Sequence, residues 1–266
     1  LWYKNLTTTF KRNYPYRLLK VHIFANAAVG CYHFYKYSFE KISVDASENE
    51  HPKECCVVAG APSRWFCTGH PCAAPSLYYR MGNTHFDHRH ADGTTKSIFI
   101  LSEEDRQKML DYGSQLTDDM VVSDTAALIS HLRGIEGVSG GYAGSFGYCM
   151  GGRHVVKIAS AQPDIFRATA SFHGTYLVTD RPDSPHLGAP DIQGEIYFGM
   201  GEKDPFTPPD VIETVRQAFD AGPADAVYRI HEDTDHGYAI PDRDIYNKAA
   251  TDEDWNAVFA MFRRML

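Results

Sequence analysis

A lone cysteine in a glycine-rich turn is the strongest chemical signal in the chain. Ser145-Phe146-Gly147-Tyr148-Cys149-Met150-Gly151-Gly152 sets Cys149 at Gly-x-Cys-x-Gly spacing, after a β-prone run and before a helix-competent one. This is the pattern of strand, sharp turn and helix, with sulfur where the commoner motif carries a serine hydroxyl. Glycines two residues to either side let the backbone turn without Cβ clashes. The thiol then faces the free N–H groups of a helix starting near Met150, which lower its pKa and can hold an oxyanion. The chemistry predicted is nucleophilic attack on an acyl carbon. A buried structural cysteine in a βα turn is the competing reading.

Such a nucleophile needs a base, and the base needs an orienting group. Asp204 directly follows the β-prone run Glu195–Met200, held between Gly201 and Pro205. His236 lies in Asp235-His236-Gly237-Tyr238, after the run Ala226–His231. Asp235 is nearer in sequence, but an immediate neighbour is badly placed to accept from the imidazole. The chain order is nucleophile, acid, histidine, which is that of α/β-hydrolases and not of the chymotrypsin or subtilisin folds. All three residues fall after strands, where open α/β sheets gather their functional groups.

The elements that must position them alternate from about Gly69 onward, as in βαβ units with a parallel sheet covered on both faces. Strands are predicted at Cys72–Ala74, Tyr142–Phe146, Phe166–Phe172, Glu195–Met200 and Ala226–His231. Helices are predicted at Ser102–Asp111, Asp118–Arg133, Met150–Ala161, Pro208–Ala221 and Glu253–Leu266. Thr117 is a candidate N-cap for the second helix, with Val121, Ala126, Leu128 and Leu132 as its apolar face. The last helix would turn Trp255, Val258, Phe259 and Phe262 inward. Residues 1–68 lack clean periodicity, although Val21–Phe24 and Cys56–Ala59 could be strands. Two readings of that stretch stand, a divergent extension or an unreliable recorded sequence. The whole is read as one α/β domain over residues 1–266.

Composition limits the partners. The 266 residues carry a formal net charge of −8, which argues against nucleic acid or an anionic membrane surface. Residues 1–45 hold seven Lys/Arg and two acids, so the rest is strongly acidic. Five of the six cysteines fall within the first 72 residues of a chain too long for a disulfide scaffold, so reduced thiols and a cytosolic protein are expected. The basic start before Val21–Gly30 imitates a secretory signal in outline only, being interrupted by His22 and Asn26.

Gly147-Tyr148-Cys149-Met150-Gly151-Gly152, Asp204-Pro205 and His236-Gly237-Tyr238 together resemble the dienelactone hydrolase family, over about Gly69 to Leu266. The resemblance implies an α/β-hydrolase fold and hydrolysis of a small ester or lactone through a thioacyl-enzyme, with no metal or cofactor, by a monomer or homodimer. Mapped by position, Cys149 is the nucleophile, His236 the base, Asp204 its orienter and the Met150 N–H an oxyanion donor. Pro75-Ser76-Leu77-Tyr78-Tyr79-Arg80 resembles the family segment whose arginine faces a substrate carboxylate, so Arg80, beside Tyr79, is the expected anion contact. A loop- or helix-capping salt bridge is the other reading of Arg80. The family's second arginine shortly after the histidine has no counterpart in Ala239-Ile240-Pro241, which predicts a weakened carboxylate clamp. The second oxyanion donor and the thiol-contacting glutamate find no match, with Glu48, Glu50 and Glu54 all open. The histidines of Thr84–His90, or Cys67, His70 and Cys72, could instead hold metal, though a polar loop and a strand explain them better. A non-catalytic α/β-hydrolase-like binding protein is the alternative function.

Overall fold

The computed structural model describes residues 19–26, 72–73, 75, 77–81, 86, 88–134 and 138–266. Its strands are β1 (Leu19–Asn26), β2 (Cys72–Ala73), β3 (Val138–Tyr148), β4 (Phe166–Phe172), β5 (Glu195–Gly201) and β6 (Asp225–His231). The helices are α1 (Glu103–Ser114), α2 (Asp118–Arg133), α3 (Met150–Ala161), α4 (Pro209–Asp220) and α5 (Lys248–Met265). The strands form one sheet of order β2-β1-β3-β4-β5-β6, and every pairing is parallel. This is the α/β architecture expected from the alternation.

Strand residues alternate between two cores. Ile196, Phe198 and Met200 of β5 face one core with Val155, Val156 and Ile158 of α3 and Phe219 of α4. Tyr197 of β5 and Ala168, Ala170 and Phe172 of β4 face the other, against Trp255, Val258, Phe259 and Phe262 of α5. The α3 helix behind Cys149 is fixed to α2 by buried polar contacts. His154 Nδ1 lies 2.6 Å from Asp118 Oδ1, and Arg153 Nε donates to the same oxygen at 3.1 Å.

Registry brings the strand ends to one edge. Asn26 pairs with Tyr148, Tyr148 with Phe172, and Phe172 with Gly199. After β2 the chain crosses back over β1 to begin β3, so the order reverses between β1 and β3. Ligand crevices in open α/β sheets open at such a reversal, and Cys149 sits at the carboxyl end of β3.

Three expectations change in detail. The buried row of α2 is Val121, Thr125 and Ile129, while Ala126 is exposed. An unbroken i, i+4, i+8 row follows one side of a 3.6-residue helix better than the uneven set predicted. The last helix begins a turn early, at Lys248, because Asn247 Oδ1 accepts from the Ala250 N–H at 3.1 Å. The β-prone Val21–Phe24 is part of a full strand that pairs with both β2 and β3. Cys56–Ala59 lies outside the described residues. No described helix is long and apolar enough to cross a membrane.

Candidate active site

Cys149 occupies the turn between β3 and α3 with φ 56° and ψ −121°. Non-glycine residues avoid that conformation, and one held there stores strain of about 1–3 kcal/mol. The turn is over-determined by its bonds. The Cys149 N–H donates to the Phe172 carbonyl at 3.1 Å, and its own carbonyl accepts from Gly152 N–H at 3.0 Å and Thr175 N–H at 3.1 Å. A Cβ at Gly152 would come within 2.8 Å of Gly174 Cα, so the missing side chain is what lets α3 start so close to the loop after β4.

The acid and the histidine are held by two loops tied backbone to backbone. Glu202 N–H donates to His231 O at 2.9 Å, and Lys203 N–H donates to Thr234 O at 3.0 Å. A Cβ on Gly201 would stand well inside contact with the Thr234 carbonyl oxygen, so this approach also requires glycine. His236 Nδ1 lies 2.7 Å from Asp204 Oδ2, and His236 Nε2 lies 3.2 Å from Cys149 Sγ. The other oxygen of Asp204 accepts from the Phe206 N–H at 2.9 Å. The structure thus brings Cys149, His236 and Asp204 into one hydrogen-bonded line.

Electrostatics favour charge on both His236 and Cys149. Burial opposes charge on His236, but the Cys149 thiolate and the Asp204 carboxylate outweigh it and push the imidazole up to about 9. Burial likewise raises the Cys149 thiol, yet the His236 cation, then Arg243 and a hydrogen bond from the Met150 N–H, bring it below the ordinary thiol value. Thiolate and imidazolium therefore stabilise each other.

Arg243 was not anticipated. It lies seven residues after His236, beyond the Ala239-Ile240-Pro241 segment where a second arginine was sought. Two bonds staple its strip of chain to the segment before α1. Thr95 N–H donates to Asp242 O at 2.6 Å, and Asp244 N–H donates to Thr95 O at 3.2 Å. The guanidinium lies beside Gly237, where Nη1 would be 3.0 Å from an added Cβ. Close spacing in sequence was the wrong filter, because a loop of this length returns on itself.

His173 was also missed, although it directly follows β4 at the same sheet edge. It is fully buried, its ring lies 4.9 Å from that of His236, and burial, His236 and Arg243 hold its pKa well below the ordinary histidine value.

Arg80 and Tyr79 are both engaged by Asp124 of α2. Arg80 Nη1 and Nη2 each reach an Asp124 oxygen at 2.5 Å, and Tyr79 Oη donates to Asp124 at 3.2 Å. The salt-bridge reading of Arg80 is the arrangement present, because α2 presents Asp124 to that turn. Of the histidines weighed as metal ligands, His90 Nε2 lies 3.0 Å from Asp244. Among the described residues no three His, Cys, Asp or Glu side chains gather as a metal site. His85, Cys67, His70, Glu48, Glu50 and Glu54 lie outside the described residues, as does the stretch following Asn26.

A second polar cluster lies beneath the His236 loop. Asp254 of α5, fully buried, accepts from Tyr197 Oη at 2.7 Å and Tyr238 Oη at 2.5 Å, and lies 2.6 Å from His231 Nε2. Burial and the Asp254 charge push the Tyr238 hydroxyl well above its ordinary value, so it stays a donor. Tyr238 is two residues past His236, so the cluster fastens the histidine loop to α5.

Comparison with known proteins supports the fold and identifies the family. Residues 63–266 match the model of the dienelactone hydrolase family. A Synechocystis protein provisionally assigned as a carboxymethylenebutenolidase is 26% identical over 201 residues, covering 74% of this chain and 76% of its own. A similarly assigned protein of Escherichia coli K12 is 24% identical over 223 residues, covering 81% and 72%. Among solved structures, a provisionally assigned dienelactone hydrolase from Klebsiella pneumoniae superposes with a TM-score of 0.69 at 20% identity, covering 95% of this chain and 90% of that one.

Proposed function

This chain belongs to the dienelactone hydrolase family, and from that premise we propose that it hydrolyses small carboxylic esters or lactones with Cys149 as nucleophile. The observation that carries the reading is the hydrogen-bonded line Cys149–His236–Asp204, with 3.2 Å and 2.7 Å between its members. A structural cysteine has no use for a buried charged partner, and a binding protein has no use for a reactive thiolate.

In the proposed cycle the Cys149 thiolate attacks the ester carbonyl, forming a C–S bond and moving the carbonyl electron pair onto oxygen. The Met150 N–H, already directed at the sulfur, is one donor to that oxyanion. One such donor is worth about 3 kcal/mol of barrier. Collapse breaks the C–O bond, and the proton on His236 Nε2 passes to the leaving alkoxide. The neutral imidazole then takes a proton from water as the hydroxide oxygen attacks the thioester. The second collapse breaks the C–S bond, returns the thiolate and releases the acid. Asp204 holds the Nδ1 proton throughout, keeping Nε2 turned to the reacting atoms. After His236, the next cation that acts on the sulfur is Arg243, so a substrate carboxylate would meet Arg243 here and not Arg80.

Hydrolysis of a short-chain p-nitrophenyl ester by the native protein and by Cys149→Ala tests the assignment. Loss of turnover in the variant is expected, and equal rates in the two would sink it.

A further inference from the structure

Two aromatic rings lie against the catalytic histidine without serving the triad, and a third packs on one of them. Phe206, two residues past Asp204, has its ring centroid 4.8 Å from that of His236. Phe99, in the single turn Ile98–Ile100, lies 6.3 Å from His236, edge-on at 83°, and 6.4 Å from Phe206. Tyr176 meets Phe206 edge-on at 5.4 Å and 73°. Three separate loops therefore deliver rings to one place.

Their exposure sets them apart from core aromatics. Phe99 is 41% exposed and Tyr176 45% exposed, so much of each ring is uncovered. Tyr176 is also held at φ 52°, a left-handed conformation that a bulky residue avoids. The segment is nonetheless anchored, since Thr175 N–H donates to the Cys149 carbonyl at 3.1 Å. The turn of Phe99 is fixed in the same way, with Ser97 N–H donating to Asp244 Oδ1 at 3.1 Å. Exposed rings on strained yet anchored backbone, beside a reactive centre, are placed for contact with something bound there.

The position identifies which part of the substrate they meet. His236 delivers its proton to the leaving oxygen, so the group attached to that oxygen must lie along His236. That is the ground bounded by Phe99, Phe206 and Tyr176. We infer that this hydrolase selects esters whose alcohol part carries an aromatic ring, an inference that rests on the thiol-ester reading above. An arriving ring would extend the set of tilted and edge-on pairs already begun at centroid separations of 4.8–6.4 Å, within the range such pairs favour.

Benzyl acetate and cyclohexylmethyl acetate test this directly, because they share an acyl group and a primary alcohol and differ in aromaticity. After correction for their rates with hydroxide, the native protein should favour benzyl acetate in kcat/KM by about 2- to 12-fold, the worth of one aromatic pair. Phe99→Leu combined with Tyr176→Leu should bring the ratio close to one, whereas Tyr142→Leu, an exposed ring elsewhere, should leave it unchanged. Benzyl alcohol should inhibit the native protein more strongly than cyclohexylmethanol, which keeps the test open if the double variant fails to fold. Hydrolysis of both esters at equal kcat/KM, or a ratio that survives the double variant, overturns the inference and leaves the role of Cys149 intact. Hydrolysis that persists in Cys149→Ala overturns the reading of the site itself.

Discussion

Replacing Asp204 with Asn isolates what the carboxylate does, because the two side chains have the same shape. Oδ1 of residue 204 accepts from the Phe206 N–H at 2.9 Å, and that bond pins the amide oxygen in the variant. The amide NH2 then occupies the place of Oδ2, which in the native protein lies 2.7 Å from His236 Nδ1. Two donors face each other unless the imidazole gives up the Nδ1 proton. A neutral ring with its proton on Nε2 is the outcome, and it neither stabilises the thiolate as a cation nor offers Nε2 as a base. A buried hydrogen bond to a charged group is worth about 1.5–3 kcal/mol, or roughly one to two pKa units. His236, now raised to about 9, should therefore fall by roughly that amount. The Cys149 thiol should rise in step, since its depression depends first on the His236 charge. Thiolate absorbance in the ultraviolet and alkylation by iodoacetamide, each followed against pH, read this shift without any substrate. Alkylation at neutral pH should slow by about 10- to 100-fold, and kcat/KM for ester hydrolysis should drop by about two to four orders of magnitude. A variant whose thiolate titration superimposes on the native curve would refute the reasoning, because the carboxylate would then have no hold on the ion pair.

Other outcomes follow from the same geometry. The proposed cycle starts from thiolate with imidazolium, so kcat/KM should fall above about pH 9 as His236 loses its proton. It should also fall at low pH, at a midpoint below that of a free thiol, both limbs belonging to the coupled pair; a flat profile across the alkaline limb would contradict this. Arg243→Gln should raise the thiolate midpoint, a smaller shift than that of Asp204→Asn, since Arg243 ranks behind His236 in its hold on Cys149. Gly201→Ala forces the Asp204 and His236 loops apart and should lower activity by about 100-fold with a measurable loss of stability; native kinetics in a well-folded Gly201→Ala would count against the loop contact. Asp254→Leu leaves three buried polar groups without their acceptor and should cost about 3–5 kcal/mol in denaturant melts. Tyr238→Phe removes only one of those donors and should cost about 1.5–3 kcal/mol.

The hydrogen-bonded line Cys149–His236–Asp204 was legible because each member follows a strand, and a parallel sheet sends all such positions to one edge. Phe166–Phe172 and Asp118–Arg133 were recoverable to the residue, the helix through its Thr117 cap, which accepts from Met120 N–H at 3.2 Å. Helix ends set by a side chain outside the periodic run were harder, as Asn247 illustrates. Arg243 escaped because its approach to the sulfur depends on the Thr95 staple, a contact across more than a hundred residues that leaves no local pattern. Arg80 illustrates the opposite case. Its local segment looked right, while the partner that engages it, Asp124, lies on a helix whose facing could not be read from the turn. The strand Leu19–Asn26 was only partly visible, since a fully paired parallel strand loses the period-2 alternation that marks a half-exposed one.

The Asp254 cluster also has a meaning in time. The ribosome delivers Cys149, Asp204 and His236 in that order, so all the reacting groups exist before α5 has been made. The carboxylate that fastens Tyr238, and with it the histidine loop, arrives only with Asp254. Until that last described helix docks, the histidine loop has its ties to the Asp204 loop but lacks this one fastening to α5.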